Sequence, residues 1–341
     1  MPDPSLRPVG RWLALWAAML VCLVVIGGVT RLTESGLSIT EWKPVTGVIP
    51  PLSHEAWEAE FARYQQIPEY QLHAGTMTLG DFQQIFFWEY LHRLWARLLG
   101  LAFALPLAWF VVRGRVRGPL ARRLGVLLVL LGAQGALGWY MVRSGLVDRT
   151  DVSQYRLAAH LGLALVLYAA AVWLAADLLV GRAESPAPPR AVRWATAMVA
   201  LIAVTITAGA FVAGLDAGHA WNTFPAMGGA FVPPGYGQMT PLWRNWFENP
   251  AAVQFHHRWL GIVTFLSAVG LWLGLARMEG VAPRARRWGA TTAAVASAQA
   301  GLGIATLLLA VPIPLAALHQ FGAVMLLTGA LLTLQAVRPQ G

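Results

Sequence analysis

Residues 86–100, FFWEYLHRLWARLLG, put an acid, a histidine and two arginines into a stretch that otherwise reads as membrane-spanning. On a helix Glu89 and His92 share one face, a turn apart. Ionisable side chains inside a membrane helix are costly, so they usually face the bundle interior and mark a site. For this stretch by itself, an i,i+4 pair between Glu89 and Arg93 is the structural alternative. The chain repeats the pattern in VQFHHRWLGIVTFLSA (253–268), where His257 and Arg258 open a second apolar run. Two further histidines, His160 in LAAHLG and His319 in LAALHQFG, lie near the start of later runs.

Each of these four histidines stands about five or six residues inside the outer end of a span. At about 1.5 Å per residue, that places all four at one depth, about 8–9 Å below the outer surface. Two helices offering imidazoles at equal height match bis-histidine ligation of haem iron. The pairs are His92 with His160 and His257 with His319. Zinc fits worse, because neither pair has a cysteine or clustered carboxylates beside it to complete three or four ligands. Structural or proton-relay histidines are the alternative. His256 and His257 point about 100° apart on a helix, so one of them at most faces an iron, and the repeat selects His257. His54, His73 and His219 fall in outer segments and read as loop residues. Arg31, Arg93 and Arg258 lie near the outer boundary, where they can pair with haem propionates or serve as interface anchors.

The elements that must position these residues are eight membrane helices. The chain has 341 residues, 57% hydrophobic and 12% charged, with mean hydropathy +0.55. That charged fraction is about half of what a soluble domain carries. The net charge of +9 therefore describes arginine placement about a bilayer and not a nucleic-acid surface. The single cysteine, Cys22, excludes an internal disulfide and a multi-cysteine metal site. Apolar runs predict spans over about 11–29, 86–112, 124–142, 155–180, 194–213, 251–276, 288–310 and 314–336. Arginine clusters at the amino terminus and after the second, fourth and sixth spans put those segments and both termini in the cytoplasm. No A-x-A-like cleavage site follows the first run and nothing before it reads as a presequence, which favours an uncleaved helix and a bacterial inner membrane.

The halves repeat. GGVTRLTESGLS (27–38) matches AGAFVAGLDAGHA, His-Arg recurs in spans two and six, and GALG (135–138) matches AGLG (300–303) in spans three and seven. We expect an all-α fold of two tandem four-helix bundles, 1–181 and 194–341, joined by a Pro-rich linker over 182–193. Four spans per half predict a pseudo-two-fold axis along the membrane normal.

With these residues in hand, the chain resembles the haem A synthase family over nearly its whole length. The carriers are GGVTRLTESGLSITEWKPVTGVIPP (27–51), EYLHR (89–93), LDAGHAWNTFPAM (215–227), HHRWLG (256–261) and the histidines of spans four and eight. The resemblance implies an oxidoreductase that converts the C8 methyl of haem O into the formyl group of haem A, for terminal oxidases. It implies a resident haem b between His257 and His319, the substrate haem between His92 and His160, and a catalytic role for Glu89. Haem O synthase and cytochrome oxidase assembly factors are the implied partners beside the lipid bilayer, and a homo-oligomer is compatible with it. The chain lacks the outer-loop cysteine pair of some bacterial members, so no thiol step operates within it. The asymmetry between halves singles out the reactive one: Glu89 precedes His92, whereas Gln254 precedes His257, and an amide is no general base. A diheme cytochrome b that leaves both haems unaltered, and a haem carrier, are the rival readings from other classes.

Overall fold

The computed structural model describes residues 3–43, 46–72, 75–148, 151–181 and 187–338. Ten α-helices run in order: α1 Arg7–Leu32, α2 His54–Tyr64, α3 Leu79–Val112, α4 Gly118–Asp148, α5 Gln154–Leu179, α6 Pro189–Gly214, α7 Asn245–Glu248, α8 Pro250–Arg277, α9 Pro283–Leu308 and α10 Ile313–Val337. No β-strand occurs among the described residues; one isolated bridge joins Met227 and Ala230. Every helix except α2 and α7 is long and apolar enough to cross a membrane. The outward faces are apolar: Leu101, Leu105, Val129, Val166, Val204 and Leu266 are all exposed, as lipid requires and water does not.

Helix α1 packs on α3 and α5, and α4 packs on α5. The second set repeats this, with α6 on α8 and α10, and α9 on α10. The sets join where α5 meets α10, flanked by α1 against α10 and α5 against α6. The α1–α3 seam is pinned by indoles. Trp12, Trp16 and Trp95 donate to the carbonyls of Ala102, Leu99 and Met19 at 2.8, 3.0 and 2.9 Å. Elsewhere hydroxyls bridge helices in the lipid-depth interior. Tyr168 meets Thr328 at 2.6 Å between α5 and α10, and Thr205 meets Thr264 at 2.7 Å between α6 and α8.

Helices α1, α4 and α9 begin at Arg7, Gly118 and Pro283, ahead of residues 11, 124 and 288 of the hydropathy reading, and three more boundaries differ from it. Helix α3 begins at Leu79, about two turns before residue 86, because Thr78 and Asp81 form a capping box that starts the helix in polar sequence. Helix α4 continues to Asp148, beyond residue 142. Helix α6 starts at Pro189, a residue well suited to a first helical turn, so the second half of the 182–193 segment is helical. Residues 182–186 of that segment lie outside the described residues.

Candidate functional site

Helix α3 carries the first site. Glu89 is 3% exposed, and its carboxylate accepts hydrogen bonds from Ser38 Oγ and the Ile39 amide, both at 2.7 Å, and from Arg93 Nη2 at 2.5 Å. Arg93 continues to the carbonyls of Ile39 (2.9 Å) and Glu41 (3.2 Å). The i,i+4 pair therefore exists, but it is buried and works as a clamp on residues 38–41. Three donors, one of them a guanidinium, suit an ionised carboxylate.

Helix α8 repeats the clamp without the acid. Arg258 donates to the carbonyls of Trp221 (2.8 Å) and Thr223 (2.5 Å), the counterparts of Ile39 and Glu41. Gln254 Oε1 accepts from Arg258 at 3.3 Å, and Gln254 Nε2 donates to the Trp221 carbonyl at 3.2 Å. Even the turn after the first helix of each set matches: Glu34 and Asp216 both adopt left-handed backbone, with φ of 51° and 49°.

All four histidines face a helical glycine. A Cβ placed on Gly27, Gly138, Gly209 or Gly303 would come within 3.2, 3.1, 2.9 and 2.8 Å of Cε1 of His92, His160, His257 and His319 respectively. Each imidazole thus lies against bare backbone of a neighbouring helix, a seat that any larger residue would fill. A glutamine recurs beside the later histidine of each set. Gln134 Nε2 donates to the His160 carbonyl at 3.0 Å, and Gln299 Nε2 to the His319 carbonyl at 2.7 Å.

The rings of His257 and His319 stand with centroids 6.4 Å apart and planes at 88°. A metal held between two imidazoles at bonds of about 2 Å each needs a separation of roughly that size. The Thr205 carbonyl takes the Nδ1 proton of His257 at 3.1 Å, which leaves Nε2 as the free lone pair. His319 Nδ1 and His160 Nδ1 are buried and lack a partner. These residues fit a haem iron between His257 and His319. In the amino-terminal set Gln134 Nε2 approaches His160 Nε2 at 3.4 Å, a contact that an iron would have to displace. Among the described residues no group of three or more His, Cys, Asp or Glu gathers as a conventional metal site.

The remaining residues singled out in the sequence have other employment. Arg31 pairs with Asp216 at 2.6 Å, joining α1 to the loop after α6. Arg93 and Arg258 spend their terminal nitrogens on loop carbonyls, while the Nε atoms of Arg31 and Arg258 are buried without a partner. His256 turns away from His257: it stacks on Trp246 at 4.2 Å and meets the Tyr236 hydroxyl at 2.9 Å. His54 opens α2 and pairs with Glu58 at 3.2 Å, His219 ends a 3-10 turn, and His73 lies outside the described residues. The four glycines, Gln134, Gln299 and Thr205 were not read as site residues from the sequence. All four glycines lie within repeat-matched elements, Gly27 and Gly209 in GGVTRLTESGLS and AGAFVAGLDAGHA and Gly138 and Gly303 in GALG and AGLG.

The comparisons with known proteins agree with one another. Residues 10–331 match the family described as cytochrome oxidase assembly protein. A protein of Rhodospirillum centenum named heme A synthase is 53% identical over 335 residues, covering 98% of this chain and 89% of the relative. The heme A synthase of Parvibaculum lavamentivorans is 50% identical over 323 residues, 95% of this chain and 92% of the relative. The human heme A synthase is 46% identical over 341 residues, 97% of this chain and 83% of the relative.

Proposed function

The chain belongs to the haem A synthase family, and on that premise we propose that it oxidises the C8 methyl of haem O to the formyl of haem A in its amino-terminal four helices. In this reading His92 and His160 hold the substrate's iron, and His257 and His319 hold a resident haem b. Once bound, haem b supplies one-electron oxidation and reduction. The observation that carries the assignment of roles is the contrast of Glu89 with Gln254, two positions in the same clamp, of which one offers a carboxylate.

Glu89 sits one helical turn from His92, so it shares the face that the substrate iron's ligand presents. Ser38, the Ile39 amide and Arg93 fix its carboxylate. A carboxylate held this way is oriented before substrate arrives, and it can take a proton at Oε1 or Oε2 as the methyl becomes hydroxylated. Two successive two-electron oxidations by an external oxidant, each leaving a hydroxyl on the methyl carbon, give a geminal diol, and loss of water leaves the aldehyde. The glycine seats exclude side chains from the back of each imidazole, so the ring cannot retreat and its orientation is set by backbone. The enzyme is read as lying in a bacterial inner membrane with both termini cytoplasmic, which puts Glu89 and the four histidines in the outer half of the bilayer.

Extraction of haem from purified protein, expressed with and without a haem O synthase, tests the reading. Haem b alone without the synthase, and haem O or haem A in addition with it, is the expected result. Two equivalents of unmodified haem b in both preparations would assign the chain to the electron-transfer cytochromes.

A further inference from the structure

The two sets of four helices pack differently at one seam. In the second set α9 lies against both α8 and α10, with Ala285, Gly289, Thr292, Ala293, Ala296 and Thr306 buried. Its counterpart α4 packs mainly on α5 and only lightly on α3, and none of residues 128–143 is buried. Helices α3 and α4 are held together at their ends. Where the chain turns from α3 into α4, Leu107, Phe110, Leu124 and Leu127 are buried in the main apolar core. At the far end Tyr64, Phe82 and Phe86 form an aromatic cap, beside the buried Glu69, and Met141, Val142 and Leu146 of α4 pack against it. Between these ends the seam is unfilled. Eighteen residues make about five turns, so Gly100 and Ala104 continue the face of Phe82 and Phe86 along α3. A Cβ on Gly100 would meet nothing within 4 Å, and the same holds for Gly132 and Gly135 on α4. In the second set the positions of Gly100 and Ala104 are taken by Phe265, packed on the core, and by Val269.

We propose that the α3–α4 seam is the berth of the isoprenoid chain that haem O carries and haem b lacks. This rests on the reading of the two haem sites given above. The seam is continuous with the substrate site, because Gln134 and Gly138, which flank His160, lie on α4 within two turns of Gly132 and Gly135. Depth agrees as well. Gly100 stands about 12 Å along α3 from His92, and Gly132 about 9 Å along α4 from Gly138, both toward the middle of the span. The bare positions of the two helices thus share a level deeper in the bilayer than the histidines, where an apolar chain leaving the macrocycle belongs. Membrane helices associate through close packing, so a seam joined at both ends and open between them suits an apolar ligand, as clefts between bundle helices commonly do. The half that holds the haem without a chain is the half in which Phe265 and Val269 replace the small residues.

The test is the affinity of purified protein, holding its resident haem b, for added haem O and for added haem b, read from difference absorption spectra. Wild type, Gly100→Ala and Gly100→Phe are compared, which cancels whatever the detergent contributes. The berth predicts that wild type takes haem O about tenfold or more tighter than haem b, the worth of roughly two buried methylenes. Gly100→Ala should keep that preference, since its methyl meets open space, and Gly100→Phe, which copies the second set, should lose it. Equal affinity for the two haems in wild type, or a preference retained in Gly100→Phe, would overturn the berth. A second measurement needs no variant. A haem O analogue with a photoreactive group at the end of its isoprenoid chain should label wild-type protein within residues 98–104 of α3 and 128–136 of α4. Labelling confined to other helices, or to lipid, would overturn the berth even if Gly100→Phe does not fold. His160→Ala in parallel separates the two claims. If it leaves haem O binding unchanged, the reading beneath fails; if it weakens binding while Gly100→Phe keeps the preference, the berth alone fails.

Discussion

Gln320 on α10 occupies the space that a side chain on Gly28 of α1 would need, and its Nε2 donates to the Val24 carbonyl at 2.9 Å. The contact joins the two histidine sets beside a residue of each site. Gly27, next to Gly28, is the seat of His92, and Gln320 follows His319. The counterpart of Gly28 in the repeat is Ala210, which packs with Leu161 in a wholly apolar contact. One join between the halves is thus polar and intimate, and the other is not.

Gly28→Ala should therefore disturb both sites at once. The added methyl must turn the Gln320 amide away, which breaks its bond to the Val24 carbonyl and loosens the seam beside His92 and His319. Difference absorption spectra should show altered bands for haem b and weaker haem O binding in the same protein, whereas Ala210→Gly should change neither by a comparable amount.

The glycine seats give a sharper test of the carboxy-terminal pair. Gly209→Ala and Gly303→Ala should each push an imidazole off its position, since the new Cβ would lie 2.9 or 2.8 Å from a ring carbon. Their haem b spectra should lose low-spin character, as should those of His257→Ala and His319→Ala. His256→Ala should keep a normal spectrum, because that ring is held by Trp246 and Tyr236.

Much of this was legible in the sequence, and the rest was hidden for physical reasons. Eight spans and the four histidines follow from hydropathy and spacing, because lipid demands long apolar helices. The first two turns of α3 were missed, since Leu79–Gln84 read as polar loop and only the Thr78–Asp81 capping box reveals the start. Spacing places Arg93 and Arg258 near the membrane boundary, but no periodicity reports that loop carbonyls of residues 39, 41, 221 and 223 curl back to them. Glu69 was invisible for the same reason: in sequence it is one acid in a polar segment, and the aromatic cap that buries it comes from α2, α3 and α4 together.

Buried Glu69 also predicts a pH-dependent stability. Its acid is held at about 8 in the folded protein against an ordinary 4.5, so between those values the folded chain keeps a proton that the unfolded chain has released. The associated stability is complete below about pH 4.5 and is lost as pH rises through 8, by at most about 1.4 kcal/mol per pH unit. Thermal unfolding in detergent should show a wild-type midpoint that falls between pH 5 and pH 8. Glu69→Gln should lose much of that slope; an unchanged slope would show that other groups set it.

Topology is checked by reporter fusions. A reporter active in the cytoplasm should work after Arg117 and after Arg286, and one active outside should work at Gly235. Reversal at any of these sites would move the histidines to the opposite face of the membrane.

The central claim is that the Glu89 carboxylate does chemistry on a haem held between His92 and His160. Glu89→Gln is a fair probe because the protein already uses a glutamine, Gln254, in the same clamp with Arg258 and a loop carbonyl. The variant should therefore fold, keep its haem b spectrum and bind haem O. The measurement is the ratio of haem A to haem O extracted from that protein, supplied with haem O in the cell. The account predicts a fall of about 10²–10⁴-fold, the usual loss for removing a general base, with a hydroxylated haem O accumulating. A wild-type ratio with the haem b spectrum intact would contradict it.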